Sequence, residues 1–256
     1  MLVDTHAHLF FEDFKDDLDL VIARAKKAGV RKIIVPGTSV QTSRQARELA
    51  KKYPGVIYPA VGVHPEEVVE RGWALPLRDD LERAVAIGEI GMDGYSAEMQ
   101  KYMNEQGKLF KAQCLLALEY DLPVIIHTRN SFAEVWGVLE SLPAMPRGQF
   151  HCFSVDEEAL DKIVEAGFYV SFGGNITWSR RVANLVPKAR IDRILLETDS
   201  PLLVPRDKNG IPMGKSERNE PANVRYLAQK IAELRGSEIV EIEKMTTENA
   251  KTLFKL

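Results

Sequence analysis

Val3-Asp4-Thr5-His6-Ala7-His8-Leu9-Phe10 (VDTHAHLF) sets two of the chain's five histidines two residues apart, directly after an apolar run. A strand sends alternate side chains to one face, so His6 and His8, with Asp4 behind them, point the same way. Imidazoles side by side on one face need a common partner, and solvent, a carboxylate and a metal ion are the choices. The same stretch bears on the fold. A doubly wound dinucleotide-binding sheet needs a glycine fingerprint after its first strand, and THAHLF contains no glycine.

Beyond this stretch, short apolar runs alternate with amphipathic ones. The runs are Leu2–Thr5, Lys32–Pro36, Ile57–Val63, Ala84–Glu89, Pro123–His127, Gln149–Phe153, Phe168–Phe172 and Ile194–Thr198. Between them, Asp16–Ala28 carries Leu18, Val21, Ile22 and Ala25 at helical steps and stops at Gly29. In Glu98–Tyr120, Met103, Phe110, Cys114 and Ala117 share one helix face. Strands alternating with helices argue for parallel βαβ units. Eight of them fit a closed (β/α)8 TIM barrel, expected as a single domain over residues 1–256. The long Pro-, Gly- and charge-rich stretch Leu203–Pro221 reads as a functional loop.

The composition is ordinary for a globular protein, 45% hydrophobic and 28% charged, and the net charge is −3. Such a surface does not attract polyanions as a whole, so any nucleic-acid contact must be local or metal-assisted. Two cysteines, Cys114 and Cys152, give no disulfide framework. No run reaches membrane-spanning length. The first residues carry acid and histidine where a signal peptide carries base and apolar residues. A cytoplasmic protein is expected.

The informative regularity is where the polar residues fall. His6 and His8 follow the first run, His64 the third, Glu89 ends the fourth, His127 the fifth, His151 sits in the sixth and Asp199 closes the eighth. The C-terminal ends of barrel strands are where catalytic groups collect. Taken singly, each has an ordinary explanation: a hydrogen-bonded histidine, a Glu89–arginine pair, Asp199 capping the turn at Ser200-Pro201. Together they would crowd one mouth with titratable groups, which is costly unless they are paired or metal-bound. Six candidates (His6, His8, Glu89, His127, His151, Asp199) exceed the needs of one ion, so two divalent cations bridged by Glu89 are expected. Imidazole with carboxylate suits zinc, manganese, nickel or iron, and an oxygen-rich site suits magnesium.

Around that core, Asp199 is the candidate proton acceptor in hydrolysis. His64, outside the six, is assigned to the scissile phosphate or the leaving group; a hydrogen bond closing the turn at Pro65 is the alternative. Arg129 shares a strand side with His127 and could fork onto a phosphate, or pair with Glu89 or Asp93. Arg218 could face the site, although a helix start at Pro221 would explain its motif. Trp178 beside Arg180 and Arg181 suits single-stranded nucleic acid, or simply packs at a helix start. Glu197 is expected to support the ligands from one layer deeper, and Cys152 to face the helices, away from His151.

The ordered motifs DTHAHL, GVHP, GEIGMD, PVIIHTR, FHCFS, SFGG, ETDSP and RNEPANV resemble those of the TatD family of metal-dependent hydrolases, within the amidohydrolase-like barrels. The resemblance runs from residue 3 to about residue 225. It implies a (β/α)8 barrel with two metals and deoxyribonuclease or related phosphodiesterase activity. Carried over by position, it implies one ion held by His6, His8, Glu89 and Asp199 and a second by Glu89, His127 and His151. Glu89 stands where many amidohydrolases use a carboxylated lysine. Met92 and Gly94 around Asp93 depart from the family pattern and leave that loop without an assigned role. The expected activity is metal-dependent hydrolysis of phosphodiester bonds by a water activated between two ions, with DNA as substrate and no membrane or obligate protein partner. The rival is a small-molecule hydrolase of the same fold acting on an amide, lactone or phosphotriester.

Overall fold

The computed structural model describes residues 1–70, 74–76, 78–213 and 216–256. Each of the eight apolar runs overlaps a strand: β1 Leu2–Asp4, β2 Val30–Pro36, β3 Ile57–Val61, β4 Ala86–Asp93, β5 Val124–Arg129, β6 Gly148–Phe150, β7 Tyr169–Phe172 and β8 Ile194–Leu196. Every neighbouring pair from β1 to β8 is parallel and in sequence order. The helices are α1 Leu18–Lys27, α2 Val40–Lys52, α3 Glu67–Glu70, α4 Ala97–Lys101, α5 Met103–Glu119, α6 Phe132–Glu140, α7 Glu157–Glu165, α8 Arg180–Ala183, α9 Val224–Arg235 and α10 Ile239–Phe254. Among the described residues no helix is long and apolar enough to cross a membrane.

The strands are apolar on both faces because both are covered. Val3, Ile34, Ala60, Ala86, Ile125, Tyr169 and Leu195 come from seven strands and form one buried cluster, a meeting possible only inside the barrel. Leu253 and Phe254 of α10 pack against it. The opposite strand faces meet the helices in a second, larger core that includes Val21, Ile22, Phe110 and Cys114.

β1 and β8 close the ring through a short seam at the mouth. Thr5 N–H donates to Leu196 O (2.9 Å), His8 N–H to Ser200 O (2.7 Å) and Asp199 N–H to His6 O (2.9 Å), with Ala7 bridged to Ser200. The Asp4 carboxylate adds bonds from the Thr198 N–H (2.9 Å) and hydroxyl (2.6 Å).

Several boundaries differ from the sequence reading, and two of them have a physical cause in side-chain contacts. β4 does not stop at Glu89 but continues to Asp93, because β5 pairs with it that far and α5 supplies side-chain partners for its other edge. Gln106 accepts from Asp93 N–H (2.7 Å) and donates to Asp93 O (3.1 Å). Two turns on, Gln113 grips Val63 in the same way (2.8 and 3.0 Å), fixing the approach to His64. The helix expected over Glu98–Tyr120 is broken at Tyr102, where α4 ends and α5 begins. The helix expected from Asp16 starts at Leu18, since the Asp17 carboxylate is engaged by Arg24 and Arg218. Within the loop Leu203–Pro221, residues 214 and 215 lie outside the described residues.

Candidate metal centre

Glu89 sits at the centre of the barrel mouth and presents its two oxygens to two groups of donors. Its place depends on Gly91, which pairs with His127 across the β4–β5 ladder at φ +148°. A Cβ there would lie 1.9 Å from the His127 carbonyl oxygen, so only glycine lets the two strands come this close.

Glu89 Oε2 lies 3.2 Å from His6 Nε2 and 3.4 Å from His8 Nε2. Asp199 Oδ1 lies 3.7 Å from His6 Nε2 and 3.4 Å from His8 Nε2, and the two Nε2 atoms are 3.1 Å apart. Ligands about 2.1 Å from a zinc ion in a tetrahedron lie about 3.4 Å apart, so His6, His8 and Asp199, with Glu89 Oε2 beside both imidazoles, have the spacing of donors to one ion. On the other side, Glu89 Oε1 lies 3.0 Å from His127 Nδ1 and 2.9 Å from His151 Nε2, which are 3.2 Å from each other. That is a three-donor face with room for a further ligand.

The hydrogen bonds around these groups fix which nitrogens are free. His8 Nδ1 sits 3.2 Å from the carbonyl of Pro36, which can only accept, so the lone pair of its Nε2 turns to that group of donors. His127 Nε2 donates to Asp93 (2.9 Å), which turns its Nδ1 lone pair to Glu89. Lone pairs and carboxylate oxygens therefore point at one another, and among the described residues no lysine or arginine pairs with Glu89 or Asp199. His6 Nδ1 and His151 Nδ1 are buried with no hydrogen-bond partner. The donor set around Glu89 fits divalent metal, and among the described residues no lysine or arginine side chain stands in its place.

The titration behaviour expresses the same demand for positive charge. Burial would push the Glu89 carboxyl up, but His151, His6, His64 and His127 outweigh it and hold it well below the carboxylate range. Burial likewise works against protons on His8, yet Asp199 and Glu89 raise it to about 9. His151 is raised well above its usual value by Glu89 and Glu197 against the same burial. Cations bound here would displace those protons.

His64 lies within ligand reach but turns a proton, not a lone pair, to the mouth. The Glu66 N–H donates to its Nδ1 (3.3 Å), which leaves the proton on Nε2, 3.4 Å from Glu89 Oε1. It presents an N–H to the mouth. The cavity there, about 470 Å³, is lined by His8, His64, Glu89, His127, His151, Asp199 and Arg129. Arg129 stacks its guanidinium 3.5 Å above the ring of Tyr95.

The structure takes two residues from where the sequence put them. Arg218 does not reach the cavity. Its guanidinium makes two 2.8 Å bonds to Asp17 and lies over Phe14. Cys152 does not face the helices: the strand has ended at Phe150, the residue adopts φ 46°, and the side chain lines the cavity. Burial, with Glu197, Asp199 and Glu89 nearby, holds its thiol protonated, well above the usual range. Glu197 does lie beneath the ligands, accepting from Cys152 N–H (2.6 Å) and Ser171 (2.6 Å) and lying 3.6 Å from His151 Nδ1. Asp199 arrives from beyond β8 at φ 54°.

Asp93 is the functional side chain that the motif reading left without a role. Its sequence signal was its spacing from Glu89, four residues along the same strand, and Gln106 holds it in place. Asp93→Asn should lower affinity for a cation at the His127 face by about 10–100-fold, the usual cost of losing a carboxylate behind a metal-binding histidine. Calorimetric titration with Zn²⁺ or Mn²⁺ would show it as a weakened binding step; an unchanged isotherm would count against the role.

The family model described as TatD related DNase matches residues 3–255. An uncharacterized metal-dependent hydrolase, YabD of Bacillus subtilis, is 38% identical over the full length of both chains. The 3'-5' ssDNA/RNA exonuclease TatD of Pectobacterium carotovorum is 34% identical, again over the whole of both. Among solved structures, YjjV, a TatD homolog from Escherichia coli K12, superposes with a TM-score of 0.86 at 31% identity, covering 100% of this chain and 98% of that one.

Proposed function

The chain belongs to the family of TatD-related DNases, and from that premise we propose that it is a binuclear metal-dependent phosphodiesterase that removes nucleotides from the ends of single-stranded nucleic acid. The observation that carries the proposal is Glu89, one oxygen turned to His6, His8 and Asp199 and the other to His127 and His151. His6, His8, Glu89 and Asp199 would hold one divalent cation; Glu89, His127 and His151 would hold the other. Such a pair, when bound, acidifies water and offsets negative charge on phosphoryl oxygens.

The remaining steps belong to the side chains. Asp199, depressed below the usual carboxylate range by His8 and His6 against its burial, is ionised and takes the proton of the attacking water. His64 holds its Nε2–H toward the mouth and donates a hydrogen bond to a phosphate or leaving-group oxygen, while the proton taken up by Asp199 passes to the departing oxygen. Arg129, stacked on Tyr95, places a guanidinium where a phosphate would enter. The cavity has the size of a small-ligand site, suited to one terminal nucleotide and too small for a duplex. The exonuclease name of the Pectobacterium relative supports action from chain ends. Two free cysteines, one of them buried in the core, support a cytoplasmic setting.

The test is to incubate metal-loaded protein with single-stranded DNA and RNA labelled at either end, and with a panel of amides, lactones and phosphotriesters. Stepwise shortening of the oligonucleotides, absent in Glu89→Ala, is the expected result. Intact oligonucleotides beside Glu89-dependent turnover of an amide or lactone would replace this reading with the small-molecule one. Metal analysis should find close to two ions per chain, and a ratio of one or less after loading would remove the binuclear claim.

A further inference from the structure

We infer that Trp178 is a stacking platform for a nucleobase of the substrate strand, so that the enzyme grips its substrate by a base as well as by phosphates. The inference rests on the nuclease reading above and adds a positioning residue to it.

Trp178 follows β7 on a short 3-10 turn, Gly174–Thr177. It lines the same cavity as Glu89, His151 and Asp199, yet 54% of it is exposed. A large aromatic left half in water beside an active centre marks a contact surface for a ligand. Leu202, 52% exposed, lines the same cavity. Tyr95, 62% exposed, carries Arg129 on its ring. The mouth thus offers an indole and an arginine-capped phenol, both open to solvent.

The turn that carries Trp178 is tied down on both sides by hydrogen bonds and a close backbone approach. Arg206 N–H donates to Thr177 Oγ1 (2.8 Å), and Ser179 N–H to Asn175 O (2.8 Å). Gly174 lies so close to the following loop that a Cβ would sit 1.7 Å from Leu203 O. The Arg181 guanidinium is anchored to the carbonyls of Ser154 and Val155, which fixes a positive charge on the wall of the same cavity. An exposed aromatic face and a fixed cation in one cavity are the combination that holds single strands, because every base has a π-face while duplex bases are already stacked. A held base brings its neighbouring phosphate to the centre at little further ordering cost.

Steady-state kinetics on a short single-stranded oligodeoxynucleotide, and on the same oligomer with abasic sites near the processed end, test this. Trp178→Ala should raise KM for the base-bearing oligomer by about tenfold, the scale of one base stacked on an aromatic ring. The abasic oligomer should lose several times less. Trp178→Phe, which keeps a ring, should recover most of the affinity. Val240→Ala, at an exposed apolar residue on α10, is the control for a general surface effect. An unchanged KM in Trp178→Ala, or an equal loss on both oligomers, would overturn the platform while leaving the nuclease reading standing. Failure of the unsubstituted protein to shorten the oligomer would instead remove that reading, and the platform with it.

Discussion

Glu89→Gln should abolish phosphodiesterase activity, lowering kcat/KM by about 10³-fold or more, equivalent to at least ~4 kcal/mol of transition-state stabilisation. The substitution keeps the shape of the side chain and removes its charge. It also replaces one oxygen with an amide NH2, which presents hydrogens where one of the two donor groups needs a lone pair. Glu89 is 3% exposed and surrounded by His6, His64, His127 and His151 at 2.9–3.4 Å, so no water or neighbouring side chain takes over its role. Bound metal should fall from two ions per chain toward one or none, measured on the same preparation as the kinetics. Near-normal activity with two retained ions would mean that the bridge is elsewhere.

Removing the metal from the unsubstituted protein should lower thermal stability as strongly as it lowers activity. A ligand present at 100 times its Kd contributes about 2.7 kcal/mol to the folded state. For a chain of this length that is a fall in Tm of roughly 5–10 °C for each ion removed. The loss should be local first. The amides of Thr5, His8 and Asp199 form the seam bonds between β1 and β8, and His6, His8 and Asp199 form one donor group, so chelation should speed hydrogen exchange there before the helices respond. Matching melting curves with and without chelator, and seam amides equally protected in both, would contradict a cation at that group.

The barrel was legible because its strands are continuous runs of β-branched and apolar residues separated by amphipathic segments, a pattern that needs no tertiary information. The position of the polar residues after those runs was legible for the same reason. What escaped the sequence depends on contacts distant along the chain. Arg218 meets Asp17, 201 positions away, and nothing local in RNEPANV announces that partner. Cys152 was assigned by strand alternation, which stops applying once the chain leaves β6 and turns through positive φ. β4 outruns its apolar pattern because β5 pairs with it as far as Asp93, while Gln106 satisfies the Asp93 backbone groups turned away from β5. Gln106 and Gln113, seven residues apart on the stripe that carries Phe110 and Cys114, were a readable sign: a buried polar group on the inward face of a helix has a backbone to satisfy.

The seam between β1 and β8 has a consequence for how the protein is made. In synthesis His6 and His8 precede Glu89, and Asp199 follows more than a hundred residues after Glu89. The donor group they make together therefore comes into being late, when the last strand docks beside the first. Until then the early histidines have only a weak, incomplete hold on any ion, and capture of the first cation reports that the ring has closed.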